Sequence, residues 1–347
     1  MSLVLGIEST CDETAASVVQ DGTRVLSNVI ASQVQLHQVY KGVVPEIASR
    51  AHIENILPVL DSALSQAGTT LDQIDAVAVA QRPGLIGSLL IGVTAAKTLA
   101  WSLQKPLIGV DHVQAHLYSV RLSAHDRSPR EQCPLPAIGL VCSGGHTALY
   151  HVRDWTDIVR IGQTIDDAVG EAYDKVAAIL NLPYPGGPVI DRLAEQGNPE
   201  AIQFPRSYLE RTSLDFSFSG LKTSVLYHVR GHPGREKPSN SLTHQQVCDV
   251  CASFQQACVD VLMNKIRRAL ERYPSRSVVI GGGVSANRGL RAQTQSLPVP
   301  VYFPEWVYCT DNAAMIAGLG QILMDRGFIS DLSMDAMTSG SIPAMTD

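Results

Sequence analysis

Two pairs of short apolar runs, each divided by a polar turn, organise the hydrophobic pattern of this chain. Residues 3–7 (LVLGI) and 15–19 (AASVV) flank the polar sequence ESTCDETA, and residues 137–152 (AIGLVCSGGHTALYHV) repeat the arrangement around a glycine-containing turn. Short apolar runs bounded by polar residues predict strands joined by turns. One hairpin in each half of the chain therefore predicts two similar α/β lobes.

Further helices and strands follow each hairpin in the pattern. Helices are predicted at 45–66, 88–103, 166–181, 189–196, 243–272 and 311–325, and strands at 76–80, 107–110 and 278–283. Pro45 suits a first helical turn, whereas Pro58 is expected to kink or divide its helix.

The Pro-containing stretch 123–136 is the predicted boundary between the lobes. We expect an N-terminal lobe at 1–122, a C-terminal lobe at 137–310, and a last helix that packs back on the first lobe. The polar loop 228–246 and the tail 329–347 are expected to be flexible.

Composition indicates an intracellular globular protein. Of the 347 residues, 45% are hydrophobic and 17% are charged, which is enough apolar material for large cores. The start lacks the basic region of a signal peptide, and seven scattered cysteines suit reduced thiols in a cytosol. The apolar segment 85–103 contains Lys97 and several glycines, so we expect a buried helix rather than a membrane span. The expected location is the cytoplasm.

The net charge of −6 bears on any nucleic-acid partner. A chain that holds a phosphate backbone by itself is usually basic, so such a role needs a local patch or a helper protein. The run KIRRALERYPSR at 265–276 holds five Lys or Arg residues. It is either such a patch or the solvated face of a helix.

The stretch GVDHVQAHLY contains two histidines, His112 and His116, four residues apart. On a helix they share one face and reach one metal ion. A zinc protease of the H-E-x-x-H type needs Glu directly after the first His, and Val113 stands there instead. A third ligand is needed, and Asp311 is a candidate, although Asp before an Ala-rich helix is commonly an N-cap. The pattern favours metal ligands without a hydrolytic base.

Turns built from Ser, Thr or Gly offer backbone N–H groups and hydroxyls that hold an anion without a Walker lysine. The two hairpin turns have this composition, and VVIGGGVSANRGLR ends a predicted strand in Gly281–Gly283. Asn287 follows, where it either caps a helix or bonds a ribose or base. PYPGGPVID is a similar glycine-rich entry into a helix, with Asp191 one turn in.

Together these motifs resemble one family over residues 3 to 325. The motifs are GIESTCDET, VPEIASRAH, RPGLIGSLLIG, GVDHVQAHLYS, SGGHT, DDAVGEAYDKVA, YPGGPVID, FSFSGLKT, GGGVSANRGLR and CTDNAAMIA. They are similar to the signatures of the tRNA threonylcarbamoyladenosine transferases, once labelled O-sialoglycoprotein endopeptidases. The resemblance implies an α/β protein of the actin-like ATPase fold, with two similar RNase H-like lobes around a cleft. It also implies transfer of a threonylcarbamoyl group from threonylcarbamoyl-adenylate to N6 of the adenosine just 3′ of the anticodon, with release of AMP.

The resemblance assigns roles to particular residues. His112, His116 and Asp311 match the ligands of one metal ion per subunit, usually Fe²⁺ and sometimes Zn²⁺. The segment and positions that match the family's substrate-binding residues are Val141, Cys142, Ser143, Gly144, Gly145, Asp174, Gly187, Asp191 and Asn287. Asp12 and Glu13 lie where the family carries acidic residues needed for activity.

The implied partners are tRNA, a smaller actin-fold paralogue and a P-loop ATPase, with no membrane. Two rival functions are weighed against this one. An actin-fold ATPase or kinase would want Mg²⁺ on oxygen ligands, whereas a histidine pair points to a softer metal. A metallo-endopeptidase would need the missing glutamate.

Overall fold

The computed structural model describes residues 1–40, 42–127, 132–210, 212–232, 235–236 and 242–339. Its strands are β1 (Leu3–Glu8), β2 (Glu13–Gln20), β3 (Arg24–Ser32), β4 (Ala76–Arg82), β5 (Leu107–Asp111), β6 (Ser123–Ala124), β7 (Ala137–Cys142), β8 (Thr147–Asp154), β9 (Asp157–Gln163), β10 (Gly231–His232), β11 (Arg235–Glu236), β12 (Ser277–Gly281) and β13 (Val301–Tyr302). Its helices are α1 (Val34–Gln38), α2 (Pro45–Ala67), α3 (Ile86–Leu103), α4 (His112–Tyr118), α5 (Val169–Ile179), α6 (Gly186–Ala194), α7 (Ser219–Arg230), α8 (His244–Arg272), α9 (Arg288–Thr294) and α10 (Ala313–Asp325).

These elements divide into two compact units. The first contains Met1–Pro134, Arg153–Ile158 and the described chain from Phe303 onward, and the second contains Leu135–Val152 and Val159–Tyr302. Residues 303–310, which the sequence assigned to the C-terminal lobe, therefore belong to the first unit.

The first unit is built on a six-stranded sheet with the order β5-β4-β1-β2-β3-β6. Strands β1, β2 and β3 form an antiparallel meander, whereas β4 pairs parallel to β1 and β5 pairs parallel to β4. The carboxyl ends of β1, β4 and β5 therefore meet at one edge of the sheet. That edge presents Glu8, Arg82 and Asp111, and it is where α4 begins.

Helices cover both faces of this sheet. On one face, α2 and α3 pack against a core that includes Leu5, Ile7 and Val18. On the other face α10 lies directly on β1, because Gly6 has no side chain and a Cβ there would collide with the carbonyl oxygen of Ala313. The sheet is therefore buried on both sides, which explains why its central strands read as continuous apolar runs.

Helix α3 is the one helix among the described residues that is long and apolar enough to cross a membrane, with a mean hydropathy of 1.4. Its residues Leu89, Val93 and Ala96 belong to the same buried core as α2 and the sheet. One face of the helix therefore packs into the core, while the opposite face exposes Ile86, Leu90 and Trp101.

The second unit is built on a five-stranded sheet with the order β13-β12-β7-β8-β9. Strand β12 pairs parallel to β7 and to β13, and β7 pairs antiparallel to β8. The long helix α8 is buried along most of its length, and α6 packs between α5 and α8. This unit also carries the two-residue ribbon β10-β11.

Three expectations about local structure need correction. Pro58 does not divide its helix, because α2 continues from Pro45 to Ala67. The tail is ordered from Ser330 to Met337: Ser330 donates to the carbonyl of Leu107 at 2.8 Å, and Met334 is buried against unit 1. The loop expected from residue 228 begins three residues later, after α7, and much of it lies outside the described residues.

Candidate functional site

Two histidines of α4 and an aspartate just before α10 converge in the first unit. Nε2 of His116 lies 3.1 Å from Oδ1 of Asp311, and Nε2 of His112 lies 3.6 Å from the same oxygen. One ligand atom from each residue lies within 4.8 Å of the others. Two imidazole nitrogens and one carboxylate oxygen form a donor set that suits a divalent transition metal.

Helix α4 begins directly after β5 because Asp111 caps it. Oδ1 of Asp111 accepts hydrogen bonds from the backbone N–H groups of Val113 at 3.0 Å and Gln114 at 3.1 Å. Arg82 donates from Nε to the other carboxylate oxygen at 3.2 Å. This cap fixes the first turn of the helix, and with it the direction of the two histidine side chains one turn apart.

Asp311 does not cap α10, although its position just before the helix suggests that role. Asn312 caps α10 instead, since its Oδ1 accepts a hydrogen bond from the N–H of Met315 at 3.0 Å. The interpretation of Asp311 as an N-cap is therefore wrong, and its carboxylate faces the histidines.

Glu8 orients the ring of His112. Its Oε2 lies 2.9 Å from Nδ1 of His112, and its Oε1 accepts a hydrogen bond from the N–H of Thr10 at 2.6 Å. Because a carboxylate accepts hydrogen bonds, Nδ1 carries a proton and Nε2 is turned toward Asp311. Burial opposes a charged ring, but the carboxylates of Glu8 and Asp311 outweigh it and raise the pKa of His112 to about 9.

His116 is the second histidine of the candidate metal site. Its ring is fully buried and stands edge-to-face to that of His112, with centroids 4.7 Å apart. Among the described residues its Nδ1 has no hydrogen-bond partner, so Nε2 makes the polar contact of the ring. Val113 is buried and apolar, so the chain position directly after His112 offers no acidic base. The residues fit a metal site that lacks the base of a zinc protease.

Asp12 and Glu13 close the turn between β1 and β2, and both are half-buried. Ser32 donates from Oγ to Oε1 of Glu13 at 3.4 Å. Burial raises the pKa of Glu13, and the negative charges of Asp12 and Asp311 raise it further. The carboxyl group of Glu13 therefore keeps its proton to higher pH than an ordinary exposed glutamate does.

The second unit contains the other predicted residues. In the turn between β7 and β8, Ser143 accepts through Oγ a hydrogen bond from the N–H of His146 at 3.1 Å. Gly144 and Gly145 are exposed, and a Cβ on either would meet nothing within 4 Å. Among the described residues, neither glycine N–H group has a hydrogen-bond partner. Two backbone donors are therefore presented to solvent.

Val141 and Cys142 contribute to this segment through their backbone. Both side chains are fully buried in β7, and Sγ of Cys142 lies 3.6 Å from the carbonyl oxygen of Gly281. Gly282 has φ of +88°, and a Cβ there would lie 2.5 Å from the carbonyl oxygen of Cys142. Glycine is therefore required at 282, where β12 ends against the end of β7.

Asn287 is satisfied within the protein. Its Oδ1 caps α9 by accepting from the N–H of Leu290 at 2.9 Å, while its Nδ2 donates to Asp191 at 2.9 Å and to Oε1 of Gln255 at 2.7 Å. Since an amide group has two N–H donors, both are used. Asn287 therefore holds Asp191 in place, and Oδ2 of Asp191 lies 3.9 Å from Nε of Arg288.

Asp174 of α5 and Gly187 of α6 lie near the beginning of α6. Oδ1 of Asp174 accepts a hydrogen bond from the N–H of Gly186 at 2.7 Å, which fixes the start of the helix. A Cβ at Gly187 would meet nothing within 4 Å, so this turn is open. The helix N-terminus and its glycine offer backbone donors to an anion.

Sequence reasoning missed three residues that organise these groups. Glu8 is a charged residue at the end of a buried strand, which is itself a signal of function. Gln255 lies in the interior of α8 and had no local signal. His52, fully buried in α2, belongs to the VPEIASRAH motif but had been given no role.

Comparison with known proteins assigns the chain to a family. The pattern of the family described as tRNA N6-adenosine threonylcarbamoyltransferase matches residues 24–318. A curated protein of that name from Moorella thermoacetica is 49% identical over 340 residues, covering 96% of this chain and 95% of its own. One from Symbiobacterium thermophilum is 50% identical over 339 residues, with the same coverage.

Solved structures support the fold. T. kodakarensis HypF matches 96% of this chain and 49% of its own with a TM-score of 0.60 at 15% identity. Component A of the Acidaminococcus fermentans (R)-2-hydroxyglutaryl-CoA dehydratase matches 93% of this chain and 98% of its own with a TM-score of 0.53 at 14% identity. The α/β fold is thus that of the actin-like ATPases. Because the sequence relatives share about half of their residues along nearly the whole chain, this protein belongs to the tRNA N6-adenosine threonylcarbamoyltransferase family.

Proposed function

We propose that this enzyme transfers a threonylcarbamoyl group from threonylcarbamoyl-adenylate to N6 of the adenosine just 3′ of the anticodon, in tRNAs that read codons beginning with A. The convergence of His112, His116 and Asp311, with the carboxyl group of Glu13, carries the proposal. In the reaction the C–N bond to N6 forms and the C–O bond between the carbamoyl carbon and the phosphate breaks. AMP leaves with the electron pair, and the amine gives up one proton.

His112, His116 and Asp311 would hold Fe²⁺, with Zn²⁺ as the alternative. Two histidines and one carboxylate are the ligands of many non-haem iron(II) sites, and zinc accepts the same donors. A bound ion supplies Lewis acidity toward the oxygen of the carbamoyl group. Glu8 contributes by fixing the ring of His112 so that Nε2 is the ligand atom.

We assign Glu13 as the group that removes the proton from the attacking amine. The exocyclic amine of adenine is a weak nucleophile, so the rate depends on its placement and on removal of its proton as the bond forms. A carboxyl group whose pKa is raised by burial and by neighbouring Asp12 suits that task better than an ordinary exposed glutamate. Asp12 maintains the negative field that raises the pKa of Glu13.

The second unit supplies the groups that we assign to the adenylate. The exposed N–H groups of Gly144 and Gly145 suit the phosphate, because backbone donors bind anions without a lysine. Asp191, held by Asn287, offers carboxylate oxygens to ribose hydroxyls. The open N-terminus of α6 at Gly187 provides further donors, and Asp174 fixes its position.

Partner proteins account for tRNA binding by a chain of net charge −6. We propose that the smaller actin-fold paralogue binds the exposed apolar side chains of α2 and α3, which include Ile53, Leu57 and Leu90. A P-loop ATPase completes the assembly, and the location is cytoplasmic. A Leu57→Glu substitution should abolish co-elution with the paralogue without changing metal content.

A reconstituted transfer assay tests the function. The purified chain is combined with its partners, threonylcarbamoyl-adenylate and unmodified tRNA, and digested nucleosides are analysed by mass spectrometry. We expect threonylcarbamoyladenosine from the wild type, loss of product with His112→Ala, and a marked decrease with Asn287→Ala. If the folded wild type forms no product while it binds its partners, the proposal is wrong, and release of phosphate from ATP would then favour the ATPase alternative.

A further inference from the structure

His52 is a fully buried histidine of α2 that contacts the turn between β1 and β2. Its Nε2 lies 3.0 Å from the carbonyl oxygen of Cys11, and its Nδ1 lies 2.8 Å from Oγ1 of Thr14. Cys11 and Thr14 are the residues immediately before and after the pair Asp12 and Glu13. One imidazole ring therefore holds both flanks of the acidic pair.

The chemistry of the partners fixes the direction of both hydrogen bonds. A carbonyl oxygen only accepts, so Nε2 of His52 donates to Cys11. Burial lowers the pKa of His52, which keeps the ring neutral and leaves Nδ1 as an acceptor for the hydroxyl of Thr14. A neutral ring with one donor and one acceptor matches this pair of partners completely.

Other contacts fix the turn at single points. Leu85 donates its N–H to the carbonyl of Thr10 at 2.9 Å, and Gln33 donates its N–H to the carbonyl of Asp12 at 3.0 Å. Ser88 adds a longer hydrogen bond to the carbonyl of Cys11 at 3.3 Å. These bonds place the backbone, whereas His52 also holds the side chain of Thr14, where β2 begins.

We propose that His52 is a positioning residue that fixes the Asp12–Glu13 pair for proton removal during transfer. This inference rests on the function proposed above, and it assigns His52 no contact with substrate or metal. The ring acts through the two flanks of the pair, so its loss should lower the rate of the chemical step while binding of the adenylate and of the metal persists.

The test compares three substitutions of His52 in the full chain with its partners. His52→Leu removes both hydrogen bonds, His52→Gln keeps a donor at the position of Nε2, and His52→Asn keeps an acceptor at the position of Nδ1. For His52→Leu we expect kcat to decrease about 10²-fold, the cost of a displaced catalytic group, with KM for the adenylate and metal content unchanged. His52→Gln and His52→Asn should each recover part of the lost activity, because each restores one of the two hydrogen bonds of His52.

Ser27→Ala is the matched control for stability. Ser27 is buried in β3, away from the turn, and its Oγ accepts a hydrogen bond from the N–H of Val18 at 3.1 Å. It should lower the melting temperature while kcat stays at the wild-type value. If His52→Leu does not fold, Thr14→Val removes one flank with little change in shape and should lower kcat in the same way.

The outcomes separate this inference from the proposed function. A folded His52→Leu or Thr14→Val protein with wild-type kcat would overturn the role of His52 and leave the transferase intact. Equal losses in all three His52 variants, with metal content reduced, would also overturn it, since His52 would then only support the fold. Absence of product from the wild type would instead reject the proposed function itself.

Discussion

The turn between β1 and β2 is buried and hydrogen-bonded at nearly every residue, whereas the turn between β7 and β8 presents two exposed glycines. In the first turn, the N–H of Thr10 is bound by Glu8, and the carbonyl of Cys11 is bound by His52. In the second turn, Gly144 and Gly145 keep their N–H groups open among the described residues. The two hairpins share their apolar-polar-apolar pattern but expose different parts of the chain.

This difference assigns the turns different tasks. The bonds of the first turn engage the carbonyls of Thr10, Cys11 and Asp12 and the N–H of Thr10, and this turn carries the acidic pair Asp12 and Glu13. A turn with open amides and no side chains binds an anion by its backbone. The expectation that both turns hold phosphate stays a prediction, and the open amides of Gly144 and Gly145 support it for the second turn.

The largest effect that we expect comes from removing Asp311, the proposed carboxylate ligand of the metal. Asp311→Ala deletes the carboxylate that faces His112 and His116 at 3.6 Å and 3.1 Å. We predict loss of bound metal by elemental analysis and a decrease in kcat of about 10³-fold, since Lewis-acid stabilisation is worth several kcal/mol. Asp325→Ala, at the other end of α10, serves as the control and should retain metal. Full activity of metal-free Asp311→Ala would remove the basis for the first site.

A smaller effect is expected when His112 is kept but the hydrogen bond that orients its ring is weakened. Glu8→Gln preserves the shape of the side chain and replaces the charged acceptor for Nδ1 of His112 by a neutral group. Substitutions of this kind typically weaken metal binding 10–100-fold, and we expect a change of about that size. Competition with a chromophoric chelator measures it. Unchanged affinity would show that Glu8 does not orient the ring.

A change in the turn between β7 and β8 should weaken binding of the adenylate and leave binding of the metal unchanged. Gly170 is the second residue of α5, and a Cβ there would lie 2.5 Å from the carbonyl oxygen of Ser143 and 2.8 Å from the nitrogen of Gly144. We predict that Gly170→Ala raises KM for the adenylate about tenfold, roughly the cost of one lost charge-assisted hydrogen bond. Gly220→Ala is closely matched, because Gly220 is the second residue of α7 and has open space around its Cβ. Equal KM values for the two variants would contradict a phosphate role for this turn.

Long apolar patterns made the framework of the fold predictable. The hairpins, α2, α3, α8 and α10 follow from runs whose period or length is determined locally. Helix α7 was missed because its first N–H groups are satisfied by a distant residue: Asp166 accepts from the N–H of Phe218 at 2.9 Å and from Ser219 at 3.3 Å. Such a cap, some fifty residues away in the chain, leaves no local signal.

The same distinction applies to the site. His112 and His116 are visible in sequence because they are one helical turn apart. Asp311 was only a candidate from its position, and the resemblance to the family marked it as the third ligand. Residues that hold others in place were not visible, because Gln255 and His52 contact groups on different elements. Tertiary partners decide such roles, and a periodic pattern carries no information about them.

The smallest effect is expected away from both turns, at the predicted basic patch. Lys265 is fully buried and donates from Nζ to the carbonyl oxygens of Tyr208 at 2.8 Å and Ser213 at 2.7 Å, while Arg268 contacts the same two carbonyls. Both side chains support a loop instead of forming a free tRNA-binding face. Lys265→Met should therefore leave the affinity for tRNA unchanged.

Stability should respond to pH at this lysine. Burial lowers the pKa of Lys265 from its ordinary value of 10.5 to about 8, so between these values the unfolded chain binds more protons than the folded one. The free energy of unfolding of the wild type should therefore increase relative to Lys265→Met as pH rises from 8 to 10.5, by about 1–3 kcal/mol, with no difference in slope below pH 8. Urea unfolding of both proteins across this range measures the change. Parallel stability curves would show that the ammonium group of Lys265 is not held in a buried environment.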